Sequence, residues 1–448
     1  MALGDKAGTG AGGDGREAAG GLGRAVARNL GWLLASRGLI ALLSLVYLAI
    51  ATRSLGVAGF GRFALIVGAA SALTALVQWQ TWQILVQYGA RHQQSGDETA
   101  LGALLRCCWL LDCGSALVGL AASAAILGLW HGALGVDAGL RGPVLAFTAA
   151  ELLSLRSTAL GLMRLRDRFR LAAYADSVTP VLRLAGAIAA GLFHPSVTAF
   201  LAAWGFAELC TAATYWLLFA RIGGVALLRR PGPGFRGVLA QHPGLLRFAV
   251  STNLISSLEL STKQVPLLLT GGMVGVASAG VFRLASQLAQ ALSKVSQLIS
   301  RAAFPEIVRT VAARGLGEVG ALFRRAFLIS ALLGALVFLL IVLIGRPVLG
   351  FMGPGFVQGY PLLLWLAAAG CVDLATAGFE PVLFAAHRSG LAVSARVVAA
   401  LGLCVAGVLL APRHGALGVA IGVLVNALLL AAVLGTAILR LIPRGAAR

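Results

Sequence analysis

Long apolar stretches alternate with short polar segments along this chain, from about residue 30 to residue 439. Each stretch has roughly the 20 residues that a helix needs to cross the hydrocarbon core of a bilayer. The stretches are continuously apolar and rich in Leu and Ala, which predicts helices and argues against the alternating strands of a membrane barrel. The predicted spans are 30–52, 63–86, 104–130, 143–163, 171–192, 197–219, 246–270, 276–300, 324–345, 361–385, 391–411 and 415–439. The pattern predicts an all-α membrane protein with about twelve transmembrane helices.

The composition agrees with this class. Apolar residues make up 59% of the chain and charged residues 12%, against about 45 to 50% and about 25% in ordinary soluble domains. The net charge of +20 would favour nucleic-acid binding if the basic residues formed one face. They lie instead mainly between apolar spans, so the charge reports membrane topology and no nucleic-acid partner is predicted.

The basic residues predict the orientation, because Lys and Arg accumulate in cytoplasmic loops. With the N-terminus placed inside, 25 of the 36 fall in inside segments or at the span ends next to them, 5 in outside loops and 6 deeper within spans. A missed span would reverse this asymmetry in every later loop. We therefore expect a multi-pass protein of the cytoplasmic (inner) membrane with both termini in the cytoplasm.

The chain divides into two predicted six-helix lobes with polar segments around them. The N-terminal lobe covers residues 25–220 and the C-terminal lobe residues 245–440, joined by a cytoplasmic linker at 221–244. The Gly/Ala-rich residues 1–24 have no apolar core, so we expect a disordered cytoplasmic tail there. Residues 441–448 form the second cytoplasmic tail.

The two lobes resemble copies of one unit. Residues 56–65 (GVAGFGRFAL) align with residues 275–284 (GVASAGVFRL) at an offset of 219. The segment that begins at Arg168 matches the one that begins at Arg388 at an offset of 220. Six spans per copy is an even number, so the repeat is parallel and its pseudo-two-fold axis lies along the membrane normal. Transporters built this way place their substrate between the repeats.

No pattern in the chain indicates catalysis. The six cysteines have no C-x-x-C spacing and the six histidines no H-E-x-x-H pair, so no metal site is predicted. The glycines at positions 8, 10 and 13 follow no strand, and no phosphate-binding loop with Lys occurs. The surroundings of Ser278 lack the spacing of a nucleophile elbow. We expect no catalytic residues and no cofactor.

Charged residues within the spans are the candidates for function, because thirteen of them facing lipid would cost about 30 kcal/mol at roughly 2.5 kcal/mol each. They must face a cavity or one another. The candidate substrate-binding cations are Arg37, Arg183, Arg156, Lys263, Arg283 and Lys294. The candidate coupling or structural acids are Glu151, Glu208, Glu259 and Asp373. For three further acids we expect hydrated positions near the cytoplasmic interface: Asp112, Asp176 and Glu380.

Structural pairing is the alternative role for these charges. Glu259 and Lys263 are four residues apart with the acid first, which suits an ion pair on one helix face. Arg183 lies near the middle of its span with no acid three or four positions away. It either contacts substrate or pairs with an acid on another helix, such as Glu208. The sequence leaves both roles open.

Three stretches resemble a known family. They are residues 55–64 (LGVAGFGRFA), residues 160–183 (from LGLMR through DRF to PVLR) and residues 279–306 (from AGVFRLASQ through Lys294 to FPE). With them the chain, over about residues 25–440, resembles the Wzx-type polysaccharide biosynthesis flippases of the multidrug, oligosaccharidyl-lipid and polysaccharide exporter superfamily. Such flippases often have an acid near the position of Lys263, from which this chain departs.

The resemblance implies two six-helix lobes that face the two sides of the membrane in turn. It also implies movement of a polyprenyl-diphosphate-linked oligosaccharide from the cytoplasmic to the outer leaflet, for O-antigen, capsule or exopolysaccharide synthesis. The implied partners are the lipid bilayer, the lipid-linked oligosaccharide, and a polysaccharide polymerase with glycosyltransferases.

Two other functions stay open. A cation-coupled multidrug exporter of the same superfamily is disfavoured because the first span has Arg37 and no acid. A membrane-embedded glycosyltransferase or ligase would need a large outside loop with catalytic acids. The longest outside loops, at about 131–142 and 346–360, contain one acid, Asp137.

Overall fold

A computed structural model describes residues 14–130, 138–291, 316–379, 383 and 389–441. Regular structure in these ranges is helical, without strands. In the first half the helices are α1 (Asp14–Val77), α2 (Thr81–Ser95), α3 (Glu98–Trp130), α4 (Arg141–Leu153), α5 (Ser157–Leu165), α6 (Phe169–Phe193) and α7 (Val197–Arg221). After them come α8 (Gly224–Arg229), α9 (Phe235–Gln241), α10 (Leu245–Met273), α11 (276–291), α12 (Leu316–Met352), α13 (Tyr360–Thr376), α14 (Ser389–His414) and α15 (Ala416–Leu441). Two short 3-10 helices precede α4 and α13, at Ala138–Leu140 and Pro354–Gly359.

Helix α1 joins the first two predicted spans through a kink rather than a loop. Gly56 has φ 66° and ψ −177° inside α1, a backbone conformation that costs glycine little and other residues much more. The helix begins at Asp14, so residues 14–24 are helical where we expected a disordered tail. Ala18 and Ala19 favour a helix there, and residues 1–13 lie outside the described part.

The second and fourth predicted spans are interrupted near their middles, which the sequence did not predict. Residues 78–80 separate α1 from α2, and residues 154–156 separate α4 from α5. Neither break contains Gly or Pro, the usual signals. Polar groups supply the missing partners instead: Gln78 Nε2 donates to the Leu152 carbonyl at 3.1 Å, and Trp216 Nε1 donates to the Leu155 carbonyl at 2.6 Å. Broken helices are tolerated in membranes when neighbouring groups satisfy the freed backbone in this way.

Nine helical segments of the described chain are long and apolar enough to cross a membrane. One of them, Leu43–Ser95, contains the end of the first predicted span and all of the second. In α12 the outward face is apolar, with Leu332, Leu336, Leu339 and Leu343 each more than half exposed. Their spacing of three to four residues forms one stripe along the helix. Such a stripe is expected on a surface that contacts lipid.

Two large hydrophobic clusters organise the packing. The first contains residues from both halves of the chain, including Phe60 of α1, Phe200 of α7, Ala285 of α11 and Leu363 of α13. The second joins the N-terminal half to the linker helices, with Leu227 of α8 and Val238 of α9, and to the start of α10 at residues 245–249. The linker helices therefore pack against the N-terminal half. The first cluster surrounds the cavity described next.

Candidate functional site

A small cavity of about 40 Å³ lies where the two halves of the chain meet. A volume of this size holds a few water molecules at most, so the two halves enclose the cavity tightly. Helices α1, α6, α7 and α11 supply its walls. The lining residues are Tyr47, Leu48, Ala51, Phe60, Phe63, Ala64, Val67, Arg183, Trp204, Arg283 and Gln287.

Two of the predicted cations line this cavity from opposite halves of the chain. Arg183 projects from α6 and Arg283 from α11, and both are only partly exposed. Arg283 makes no hydrogen bond or ion pair within 4 Å among the described residues. The side chain of Arg283 thus brings a cation without a directly bonded acid to the cavity wall, and its charge interacts at longer range with Tyr47 and Glu151. Such a cation is expensive within membrane-spanning helices unless water or an anion accompanies it.

Glu208 of α7 forms ion pairs with two arginines at once. Its Oε1 accepts from Arg183 Nη2 at 2.8 Å, and its Oε2 accepts from Arg156 Nη1 at 3.0 Å. The Glu208 side chain is 9% exposed, against 24% for Arg183 and 42% for Arg156. The pair between Arg183 and Glu208, which the sequence left as an alternative, is present. Arg183 still reaches the cavity, because its guanidinium has more donors than one carboxylate oxygen occupies.

A second carboxylate lies near this group. Glu151 of α4 accepts a hydrogen bond from Ser71 Oγ at 2.7 Å through Oε1, while its buried Oε2 has no partner among the described residues. It lies close enough to Arg183 and Arg156 for an electrostatic interaction. The site therefore combines three cations with two carboxylates, and one positive charge is left over.

Aromatic rings form one wall of the cavity. Trp204 lies edge-on to Tyr47 and to Phe63, with ring centroids 5.2 Å apart in both pairs. The Arg183 guanidinium carbon lies 5.5 Å from the centre of the Trp204 ring, within the range of a cation–π interaction. Aromatic rings beside fixed cations suit a ligand with an anionic group and apolar or sugar faces.

Several buried polar atoms near the cavity have no partner in the described structure. They are Arg183 Nε, Gln264 Oε1, Gln287 Oε1 and Glu151 Oε2. Native interiors leave few such atoms unpaired, because each costs about 1–3 kcal/mol. Arg183 and Gln287 line the cavity itself, which marks its wall as a surface prepared for water or a polar ligand. The sequence pattern did not indicate Gln264, Gln287, Tyr47 or Trp204, since uncharged residues do not stand out in an apolar span.

The other predicted site residues lie elsewhere. Lys263 and Asp373 are exposed, each has an interaction partner, and neither lines the cavity. The backbones of Arg37 and Glu259 belong to α1 and α10, but their side chains are outside the described part. Lys294 and Glu380 are also outside the described residues.

Asp112 corrects one sequence expectation. We expected it to be hydrated near the interface, yet it is 3% exposed in α3. Its carboxylate accepts from Thr81 Oγ1 at 2.9 Å, from Thr158 Oγ1 at 2.6 Å and from Thr158 N at 3.1 Å. These two threonines stand at the starts of α2 and α5, directly after the two helix breaks. Three neutral donors and two helix N-termini compensate for its burial. By contrast, Asp176 is exposed and accepts from the Tyr215 hydroxyl at 2.6 Å.

Comparison with known proteins identifies the family and the fold. The sequence model of the family described as "Polysaccharide biosynthesis protein" matches residues 26–311. Inner membrane protein YghQ of Escherichia coli strain K12 is 27% identical over 343 residues, which cover 74% of this chain and 94% of that protein. The lipid II flippase MurJ, in an inward closed conformation, has a similar structure, with a TM-score of 0.65 at 9% identity over 89% of this chain and 87% of MurJ. An inward-facing MATE family multidrug transporter of the MOP superfamily gives a TM-score of 0.63 at 14% identity over 91% of this chain and 96% of the transporter.

Proposed function

Because the chain belongs to the polysaccharide biosynthesis protein family, we propose that it is a flippase for a lipid-linked saccharide. In this proposal it moves a polyprenyl-diphosphate-linked oligosaccharide from the cytoplasmic to the outer leaflet of the inner membrane, and it breaks no covalent bond. Both termini and the linker lie in the cytoplasm. The name of the relative YghQ supports the inner membrane, and the name of MurJ supports a flippase with the same fold.

The observation that carries the proposal is the pair of arginines at the cavity between the halves. A diphosphate needs fixed cations and hydrogen-bond donors to leave water, and guanidinium groups bind phosphate in a bidentate manner. Arg283 has no directly bonded acid and Arg183 has donors to spare, so both are available to an anion. The aromatic wall at Trp204 offers a stacking surface for a sugar ring.

Glu208 gives the site a resting state without substrate. While the cavity is closed and small, the carboxylate pairs with Arg183 and Arg156 in place of the substrate. When the halves separate, a diphosphate competes with Glu208 for Arg183 and takes Arg283 as its second contact. Glu208 thus offsets the cost of desolvating these cations before the substrate arrives, so the folded protein can hold them within the membrane.

The proposal is tested by replacing Arg283 and measuring flipping with a fluorescent polyprenyl-diphosphate monosaccharide in proteoliposomes. We expect Arg283→Ala to lower the rate by about tenfold or more, as for the loss of a charged hydrogen bond, and Arg283→Lys to restore part of it. The amount of folded protein should be unchanged, because no carboxylate loses its partner. Arg141→Ala removes an exposed cation outside the cavity and serves as the matched control.

Normal flipping by Arg283→Ala would contradict the role of this arginine. Absence of flipping by the unchanged protein, together with efflux of a cationic dye, would instead support the multidrug exporter. A polysaccharide polymerase and glycosyltransferases remain predicted partners of this flippase.

A further inference from the structure

The repeated glycine segments of the two halves contact each other in the structure. Gly56 and Gly275 occupy matching positions of the repeat, and both have positive φ angles, 66° and 119°. Each therefore has a backbone conformation that favours glycine, just before a helical segment. The matching segments that follow, 57–61 and 276–280, pack face to face, and the details of this contact are reciprocal.

Gly61 and Gly280 permit this contact because they lack a side chain. A Cβ atom on Gly61 would lie 2.0 Å from the Val276 carbonyl oxygen, and one on Gly280 would lie 2.6 Å from the Val57 carbonyl oxygen. Ordinary van der Waals contact begins at 3.4 Å. Since backbone atoms cannot rotate away as side chains can, any larger residue at either position forces the two segments apart. We name this pair of contacts the glycine seam.

The repeat itself supports the importance of these two positions. At the offset of 219, Gly61 corresponds to Gly280, and each meets the carbonyl of the valine in the other copy. Gly59 corresponds to Ser278, so the neighbouring position carries a side chain in one copy. A Cβ on Gly59 would meet only Leu55 of its own segment. Glycine is thus present in both copies at the position where the halves touch (61 and 280). At the neighbouring position (59 and 278), where they do not touch, only one copy has glycine.

Further contacts between the halves surround the glycine seam. Thr52 Oγ1 donates to the Met352 carbonyl at 2.9 Å, and Arg53 Nε donates to the Phe351 carbonyl at 2.7 Å. Phe60 and Phe356 lie edge to face with ring centroids 5.9 Å apart. These polar bonds satisfy carbonyl groups at the end of α12 and depend on the halves being close together.

The glycine seam lies directly beside the cavity, on the side away from the linker. Phe60, which precedes Gly61, and Ala64, about one turn further along α1, line the cavity. From Gly61 the chain follows α1, passes the break at 78–80 and reaches His92 in α2, whose Nε2 lies 3.1 Å from His242 Nε2 in the linker. Gly61 is therefore at the opposite end of this stretch from the linker.

We propose that Gly61 and Gly280 form the closure of the substrate path at the end opposite the linker, and that this closure parts in each transport cycle. That the path carries a substrate rests on the proposed function, whereas the closure itself rests on the contacts alone. Close backbone packing makes the seam either closed or open, because a packed interface does not deform gradually.

A disulfide beside the glycine seam, between residue 57 and the C-terminal half, measures the closure without any substrate. The Val57→Cys and Gly355→Cys pair suits this purpose, because a Cβ on Gly355 would lie 2.7 Å from Val57 Cγ2. The disulfide is quantified by mass spectrometry in full-length protein in membranes, with each single cysteine variant as a background. We expect Gly61→Ala and Gly280→Ala to lower its yield by about fivefold or more, since restoring ordinary contact separates the segments by about 1.4 Å at Gly61 and about 0.8 Å at Gly280.

Two glycine variants serve as matched controls. Gly59→Ala adds a methyl group in the same segment without touching the other half. Gly68→Ala meets the other half, but its nearest atom is Leu267 Cδ2, the end of a flexible side chain. Both should keep the disulfide yield of the parent. Equal yields in all four variants would overturn the closure.

A second measurement does not depend on the glycine variants. Oxidising the Val57→Cys and Gly355→Cys protein should abolish flipping of the fluorescent polyprenyl-diphosphate monosaccharide, and reduction should restore it. Unchanged flipping by the cross-linked protein would overturn the proposal that the closure parts in the cycle. If the unmodified protein flips no such lipid while the disulfide yields follow the glycine variants, the proposed function fails and the closure stands.

Discussion

Glu208 holds two guanidinium groups from within a helix that carries no other acid. Arg183 and Arg156 reach it from α6 and from the break before α5. The sequence identified all three as charges in apolar spans, because a charge is conspicuous there. Which of them pair depends on how α6 and α7 cross and on a break that the sequence did not indicate. For this reason the candidates could be named from the sequence, and their partners could be confirmed only from the structure.

Replacing Glu208 by Gln should destabilise the protein more than replacing Arg183 by Gln. Glu208→Gln leaves two partly buried cations without their carboxylate, at a cost of about 2–4 kcal/mol, less than for a fully buried pair because Arg156 is 42% exposed. Arg183→Gln leaves Glu208 with Arg156. Thermal unfolding in detergent measures both variants and the double variant, in which we expect a coupling of about 1–3 kcal/mol. Additive effects would contradict a direct ion pair.

At the scale of elements, Asp112 connects the two broken helices. One carboxylate accepts from the first turn of α2 and from the first turn of α5, so the breaks at 78–80 and 154–156 are held side by side. Arg156 immediately precedes α5, and its direction toward Glu208 depends on this arrangement. The breaks were missed from the sequence because they contain no Gly or Pro. The positions of apolar residues give no warning when polar side chains, rather than backbone constraints, interrupt a helix.

Asp112→Ala should destabilise the protein by about 2–5 kcal/mol, since three buried donors lose their acceptor. Asp112→Asn keeps one acceptor oxygen, and we expect a smaller loss. Asp97→Ala is the matched control: Asp97 is exposed and accepts from Ala100 N at the start of α3, an interaction worth about 1 kcal/mol. Thermal unfolding of the three variants in detergent gives the comparison. Equal losses for Asp112→Ala and Asp97→Ala would show that the connection between the broken helices contributes little.

At the scale of the whole molecule, the sequence predicted the fold class well and the shapes of individual helices less well. An all-α membrane fold follows from the length and spacing of the apolar stretches, and the similarity to MurJ and MATE structures confirms it. The kink at Gly56 and the ordered linker were not predicted, because both depend on contacts between distant segments. Arg106, for example, donates to the Leu228 carbonyl at 3.2 Å and thereby fixes α8 against α3.

The orientation in the membrane is the property that the basic residues predict most directly. Arg229, Arg230 and Arg236 lie in the linker, whereas Arg141 is the one basic residue of the predicted loop before α4. We therefore expect a cysteine in the linker to be shielded from an impermeant maleimide added to intact cells, and a cysteine beside Arg141 to react. Gly234→Cys and Gly142→Cys are suitable positions, because a Cβ at either glycine meets no atom within 4 Å.

The measurement needs two references. The parent protein, with its six native cysteines, gives the background, and permeabilised cells give the full reaction at both positions. Gly234→Cys should react only after permeabilisation, since the membrane separates the linker from the reagent. Its labelling in intact cells would reverse the topology, and the glycine seam would then face the cytoplasm. The seam would then open toward the cytoplasm instead of the outside, because the closure and the linker lie at opposite ends of the stretch from Gly61 to His92.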